Sequence, residues 1–273
     1  VNKFSVLLPC YKGGLLFRRA VESIVSSKLP ATRIIISFNN YQDENEAWLH
    51  ALIKKGFFGD IQVVILNTKN ELTALEHWLY ICDCLKEDIK PNELLFLMAH
   101  DDWLGDCSNL NVNTLYEQQG TVYFPNYKPT KDINIRSYLP FNVDLLPRDW
   151  FWYDVKETVF TNMSGMIIPF YLLEEISKLS MDKKTGTRFE HSLALSKKTK
   201  YLKYLDSVNV NIYIHANQSG ALINTLESRI DDLWYYTFVK NNVEMSLVDN
   251  VKIRVLTCKK LISIVLCYFK FLK

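Results

Sequence analysis

The feature that most constrains this chain is an alternation in its first hundred residues. FSVLLP (4–9), RIIISF (33–38), IQVVILN (61–67) and ELLFLMA (93–99) are apolar almost throughout. Between them lie LLFRRAVESIVSS (15–27), DENEAWLHALIKKG (43–56) and ELTALEHWLYICDCLK (71–86), with apolar residues at helical spacing. A strand that is apolar at every position has to be covered on both faces. Four such strands separated by amphipathic helices predict an α/β domain on a mostly parallel sheet. Sheets of this kind bind ligands beyond the carboxyl ends of their strands.

One strand end is chemically unusual. In LLFLMAHDDWL (94–104) a core-like run stops at His100, Asp101 and Asp102, then Trp103 and Leu104 resume it. Two adjacent carboxylates at the end of a buried strand need a cation, a hydrogen-bond network or solvent. An Asp that caps a following helix is the plainer alternative.

From about residue 120 the alternation breaks. The stretch 121–154, rich in Pro and aromatics, predicts a long connection with short strands. A strand SGMIIP (164–169), a helix YLLEEISKL (171–179), the segment RFEHSLALSKK (188–198) and a strand-like run from 201 follow. Helical pattern resumes from about 221.

A net charge of +2 gives no sign of a nucleic-acid partner. Six cysteines lie mostly inside apolar runs without metal or redox spacing, which suits small buried hydrophobes in a reducing compartment. No secretory leader is read at the start, and no uncharged run has a spanning helix's length. A cytoplasmic protein is expected.

Taken in order, FSVLLPCYKGG, IIISFNNYQDEN, LLFLMAHDDWL, MSGMIIP, FEHSLAL and YIHANQSG resemble the motifs of family 2 glycosyltransferases over residues 4–220. The resemblance implies a Rossmann-like GT-A fold and transfer of a sugar from a nucleotide diphosphate with inversion. It divides the chain into a GT-A domain at 1–220, with a nucleotide-sugar half (1–104) and an acceptor half (105–220), and a helical extension at 221–273. Asp102 would then ligate Mn2+ or Mg2+ on the donor diphosphate, with Asp101 binding ribose or assisting the metal. Such ions take one or two carboxylates plus phosphate oxygens. Ala99 stands where the family often has a further Asp. Pro9 and Tyr11 fall at the nucleobase side, where Tyr11 either stacks on uracil or is a surface aromatic. Asn39 follows Phe38, which occupies the position of the family's base-binding Asp; Asn39 either replaces that Asp or serves a turn. Lys69 reaches the base or phosphate, or is simply solvated.

Inversion needs a general base. Glu190-His191 stands in place of the family's Glu-Asp pair, and neighbours on a helix point about 100° apart, so one of the two faces the acceptor. Glu190 is the narrow choice, and a plain first-turn acid is the alternative. His215 in YIHANQSG resembles a family histidine near the diphosphate, as a metal ligand or as a structural residue.

The last 23 residues, VKIRVLTCKKLISIVLCYFKFLK, carry Lys and Arg but no acid. They read as an amphipathic helix on an anionic membrane surface, or as one packed on the core with snorkelling lysines. RDWFWYD (148–154) reads as acceptor surface or as core. The expected whole is a UDP-sugar-dependent enzyme acting on a lipid-diphosphate-linked glycan at the inner face of a bacterial inner membrane, in O-antigen or capsule assembly. Rivals are a catalytically silent nucleotide- or carbohydrate-binding subunit, and a nucleotidyltransferase, for which YKGG (11–14) is a short phosphate loop.

Overall fold

The computed structural model describes residues 3–40, 43–130, 142–156, 162–180, 188–213 and 226–271. The predicted alternation forms as β1 (Phe4–Cys10), α1 (Gly14–Ser26), β2 (Arg33–Phe38), α2 (Asp43–Lys54), β3 (Gln62–Asn67), α3 (Ala74–Leu85) and β4 (Leu94–Leu97). β2 and β4 are buried at every position. α1 buries Phe17, Ala20, Val21 and Ile24, one stripe at helical spacing. α3 starts later than its apolar pattern, because Thr73 and Glu76 form a capping box.

After β4 come β5 (Trp103–Leu104), α4 (Val112–Glu117), β6 (Thr121–Pro129), α5 (Pro147–Val155), β7 (Ile167–Pro169), α6 (Phe170–Leu179), α7 (Phe189–Ala194) and β8 (Tyr201–Ile212). One sheet takes the order β3-β2-β1-β4-β7-β6-β8-β5. β1 to β4 run parallel, whereas β7 is antiparallel to both β4 and β6. β1 therefore lies between β2 and β4, and the chain leaves it in opposite directions across the sheet. Sheets that reverse in this way bind ligands at the carboxyl ends of the strands beside the reversal, here β1 and β4.

The expected long connection at 121–154 is corrected by the structure. β6 is a nine-residue strand inside the sheet. Its Pro125 is accommodated at a register shift between Phe124 and Asn126, where a missing N–H costs the ladder nothing. Pro147 occupies the first turn of α5, whose inner side presents Trp150, Phe151 and Asp154. Trp150 stacks on Phe124 with centroids 5.6 Å apart, and Phe151 tilts against Tyr235. Both rings fill the core, which overturns an acceptor surface at those two positions.

α8 (Leu226–Asn242) and α9 (Leu247–Phe271) complete the described chain and pack on each other. Cys10, Cys82 and Cys107 are buried and form no disulfide. Among the described residues no helix is long and apolar enough to cross a membrane.

Candidate active site

At the end of β1 the chain turns through Tyr11 and Lys12, the latter at φ 51°. A side chain at Gly13 would come within 2.6 Å of Phe17 and 3.0 Å of the His100 ring, so this turn packs directly on the end of β4. Tyr11 donates its hydroxyl to Glu71, and Lys12 donates to the Tyr11 oxygen at 2.6 Å. Asn39, buried at the end of β2, donates its amide to the Leu72 carbonyl at 2.7 Å and accepts from the Leu72 N–H at 2.8 Å. Both residues thereby hold the segment between β3 and α3. Pro9 pairs with Ser37 inside the sheet, and Lys69 is exposed on the loop after β3.

Asp102 is 1% exposed. Ser164 donates to its Oδ2 at 2.5 Å, and the Tyr213 N–H at the end of β8 donates to its Oδ1 at 2.8 Å. Burial, and next the neighbouring Asp101, push its pKa up to about 7, against the pull of Ser164, Tyr213 and Arg19. Ser164 also accepts from the Ala99 N–H at 2.8 Å. It is presented by a turn whose Gly165 sits at φ +83°, where an added carbon would meet Pro125 and Val210 at 2.5 Å. Asp101 is only partly buried. Its carbonyl accepts from Arg19 at 2.8 Å, and the Arg19 guanidinium stacks 3.8 Å from the centre of the Trp103 ring.

Among the described residues, no three His, Cys, Asp or Glu side chains gather as a metal centre. His215 lies outside the described residues. The chemistry present suits Mn2+ or Mg2+ held mainly by a ligand's phosphates: a hard, partly open carboxylate at Asp101, backed by a clamped one at Asp102. Of the two, Asp101 is the more exposed and Asp102 the one clamped by Ser164 and Tyr213.

α7 carries Glu190 and His191. His191 is buried, with Nδ1 3.3 Å from Glu190 Oε1 and Nε2 3.0 Å from Asp154 Oδ1. Glu190 is the more open of the two, its side chain 24% exposed against 8%. Tyr127 of β6 donates its hydroxyl to the Asn162 carbonyl. Burial holds its phenol well above the usual range, and the charges of Glu190 and Asp102 both add to that rise. The sequence reading missed Ser164, Arg19, Glu71, Tyr127 and Asp154. Only Asp154 left a signal, as the polar residue on the inner stripe of a helix that opens with Pro147.

Neither a protein-family model nor a curated protein matches this chain. Solved structures do. S. aureus TarS 1–349 in complex with UDP-GlcNAc aligns with a TM-score of 0.67 over 96% of this chain and 73% of that one, at 10% identity. The mannosyltransferase PcManGT from Pyrobaculum calidifontis, in complex with GDP-Man and Mn2+, aligns at 0.57 over 93% and 69%, at 9% identity. GalNAc-T7 with UDP, GalNAc and Mn2+ aligns at 0.53 over 87% and 49%, at 12% identity. At these identities the likeness is one of fold. The chain has the GT-A glycosyltransferase fold, with a helical C-terminal segment.

Proposed function

We propose that this protein is a metal-dependent inverting glycosyltransferase. It moves a hexosyl or N-acetylhexosaminyl group from a UDP-linked donor to a lipid-diphosphate-linked glycan in bacterial surface-polysaccharide assembly. The reading rests on one observation: Asp101 and Asp102 follow β4, the strand paired with β1 where the sheet order reverses, and the charges of Asp102 and Glu190 both reach Tyr127. The fold adds support, since its solved neighbours were captured with UDP, UDP-GlcNAc and GDP-Man.

Each residue then has a part. Tyr11 and Lys69 lie at the nucleobase end, and Asn39 shapes that end through Leu72. Asp101 would hold the cation, which when bound neutralises charge on the departing diphosphate. Asp102 stays clamped by Ser164 and Tyr213 and keeps the turn carrying Asp101 in place. Glu190 takes the acceptor's proton while the hydroxyl oxygen attacks the face opposite the leaving group.

The acceptor's lipid is supported by α9. Its outer side exposes Val248, Val251, Val255, Ile262, Val265 and Leu266, flanked by the exposed cations Lys252, Arg254 and Lys259. An apolar strip with basic flanks and no acid beyond residue 250 is complementary to an anionic bilayer surface at the cytoplasmic face.

Calorimetric titration of UDP, with and without Mn2+, into wild type, Asp101→Ala and Asp102→Asn tests the donor site. Metal-dependent binding that Asp101→Ala abolishes is the expected result. Binding indifferent to Mn2+ and to Asp101 overturns the metal site. Metal-dependent UDP binding without turnover of any UDP-sugar favours a silent subunit instead.

A further inference from the structure

Behind Glu190 a file of charged groups runs inward to the C-terminal helices. His191 links Glu190 to Asp154, as given above. Arg188 Nη1 reaches the same Asp154 oxygen at 3.3 Å, and its Nε reaches Asp232 of α8 at 3.2 Å. Lys260 of α9 closes the file on Asp232 at 2.7 Å. Tyr235 of α8 donates to the other Asp154 oxygen at 3.1 Å, and the Trp150 ring packs against the imidazole.

Formal charge in this file does not balance unless His191 takes a proton. Glu190, Asp154 and Asp232 supply three negative charges, and Arg188 and Lys260 supply two positive ones. A neutral imidazole leaves the file at −1, and an imidazolium brings it to zero. Asp154 and His191 are the file's buried members, where uncompensated charge costs most, so His191 is the site that receives the balancing proton.

We infer that Glu190 and His191 work as a single base, and that Asp154 is the positioning residue that makes His191 the final seat of the proton. The inference relies on the glycosyltransferase reading for its chemistry, but not for its proton geometry. Nε2 lies 3.0 Å from Asp154 Oδ1 and 3.2 Å from Arg188 Nη1, so Asp154 and Arg188 compete for it; the relay uses the tautomer that gives Nε2–H to Asp154 and leaves Nδ1 open toward Glu190. The acceptor oxygen bonds to the anomeric carbon while the bond from that carbon to the phosphate oxygen breaks, its electron pair leaving on the diphosphate. The hydroxyl proton passes to Glu190, the more open member, and from Oε1 to Nδ1. An isolated carboxylate is a weak base at neutral pH, whereas an imidazole backed by a carboxylate is poised near it. Burial lowers the His191 pKa, but Asp154 and Glu190 outweigh burial and Arg188, so the net shift is upward. The pair is competent with His191 neutral, so activity rises with pH through that elevated midpoint.

The test is NMR titration of the histidine rings and glutamate carboxyls in the full chain, with His191→Asn for assignment. His191 is expected to titrate above 6.5 in the wild type, with the Glu190 carboxyl carbon inflecting in the same step. Asp154→Asn should lower that midpoint by about one pH unit, tenfold in proton affinity. Glu190→Gln, on the half-open first turn of α7, should lower it less and serves where Asp154→Asn does not fold. A wild-type midpoint at or below 6.5, or a Glu190 carbon blind to the step, overturns the relay. The pH profile of UDP release from UDP-GlcNAc, with water as acceptor, adds a kinetic reading. Its acid limb should fall together with the His191 midpoint in Asp154→Asn; a limb that stays put overturns the catalytic role. Failure of UDP to bind at all sinks only the glycosyltransferase reading, and the ring titration still judges the relay.

Discussion

Ser164 and Asp102 share a hydrogen bond of 2.5 Å that joins the turn before β7 to the end of β4. Ser164 takes the Ala99 N–H with the same oxygen, so one hydroxyl sets both the backbone and the carboxylate of the His100–Asp102 turn. Ser164→Ala changes little volume but leaves a fully buried carboxylate one donor short. The expected cost is roughly 1–3 kcal/mol, the desolvation penalty of an unsatisfied group. Urea unfolding of the two proteins measures it, and an unchanged midpoint would show that the bond contributes nothing net.

Asn39 carries the next prediction. Its carboxamide both donates to and accepts from the Leu72 backbone, which a carboxylate cannot do. Asn39→Asp introduces an acid one residue after Phe38, the position where the family resemblance expects one, yet it sets an anionic oxygen against the Leu72 carbonyl. A loss of about 1–3 kcal/mol and weaker UDP binding should follow. Stability equal to wild type, together with tighter UDP binding, would overturn this account and give position 39 a direct contact with the base.

His77 makes stability depend on pH. It is buried on α3 against Ser37, 2.8 Å away, and burial lowers its pKa from 6.5 to about 4. The unfolded chain therefore binds a proton near pH 6.5, while the native state resists until about pH 4. Stability from this group is complete above pH 6.5 and is lost as pH falls toward 4, by about 3 kcal/mol in all. Chemical denaturation at pH 7 and pH 5 should show the slope in wild type and a shallower one in His77→Gln. Equal slopes in both would assign the acid sensitivity elsewhere.

The outer face of α9 is tested on vesicles. Val251 and Val255 are 54% and 49% exposed, so charging them costs the fold little. Wild type should co-sediment with phosphatidylglycerol vesicles but not with phosphatidylcholine ones, and less so at high salt. Val251→Glu with Val255→Glu should abolish sedimentation at unchanged melting temperature. Retained binding in that variant would remove α9 from the membrane contact.

The parallel half of the fold was legible in the sequence because each element there announces its own environment. FSVLLP and RIIISF are apolar at every position and so need cover on both faces, and the helices between them carry one apolar stripe. The same pattern located His100-Asp101-Asp102 at a strand end, since a buried strand can change character only where the sheet stops. In the second half the local signals conflicted with the tertiary outcome. The Pro-rich stretch read as a long connection, yet a register shift absorbs Pro125 within a strand; the aromatics of α5 read as acceptor surface or core, and Phe124 and Tyr235 bury two of them.

The site divides in the same way. Sequence alone set Asp101 and Asp102 apart as two carboxylates at a strand end, and reached Glu190 and His191 through the family resemblance. It could not apportion their roles. Asp102 is clamped because Ser164 and Tyr213, far from it in sequence, converge on its two oxygens. His191 is fastened to Asp154 because α5 and α7 meet beside α8. Burial and hydrogen-bond partners are properties of segments brought together, and only the tertiary structure decides which segments meet.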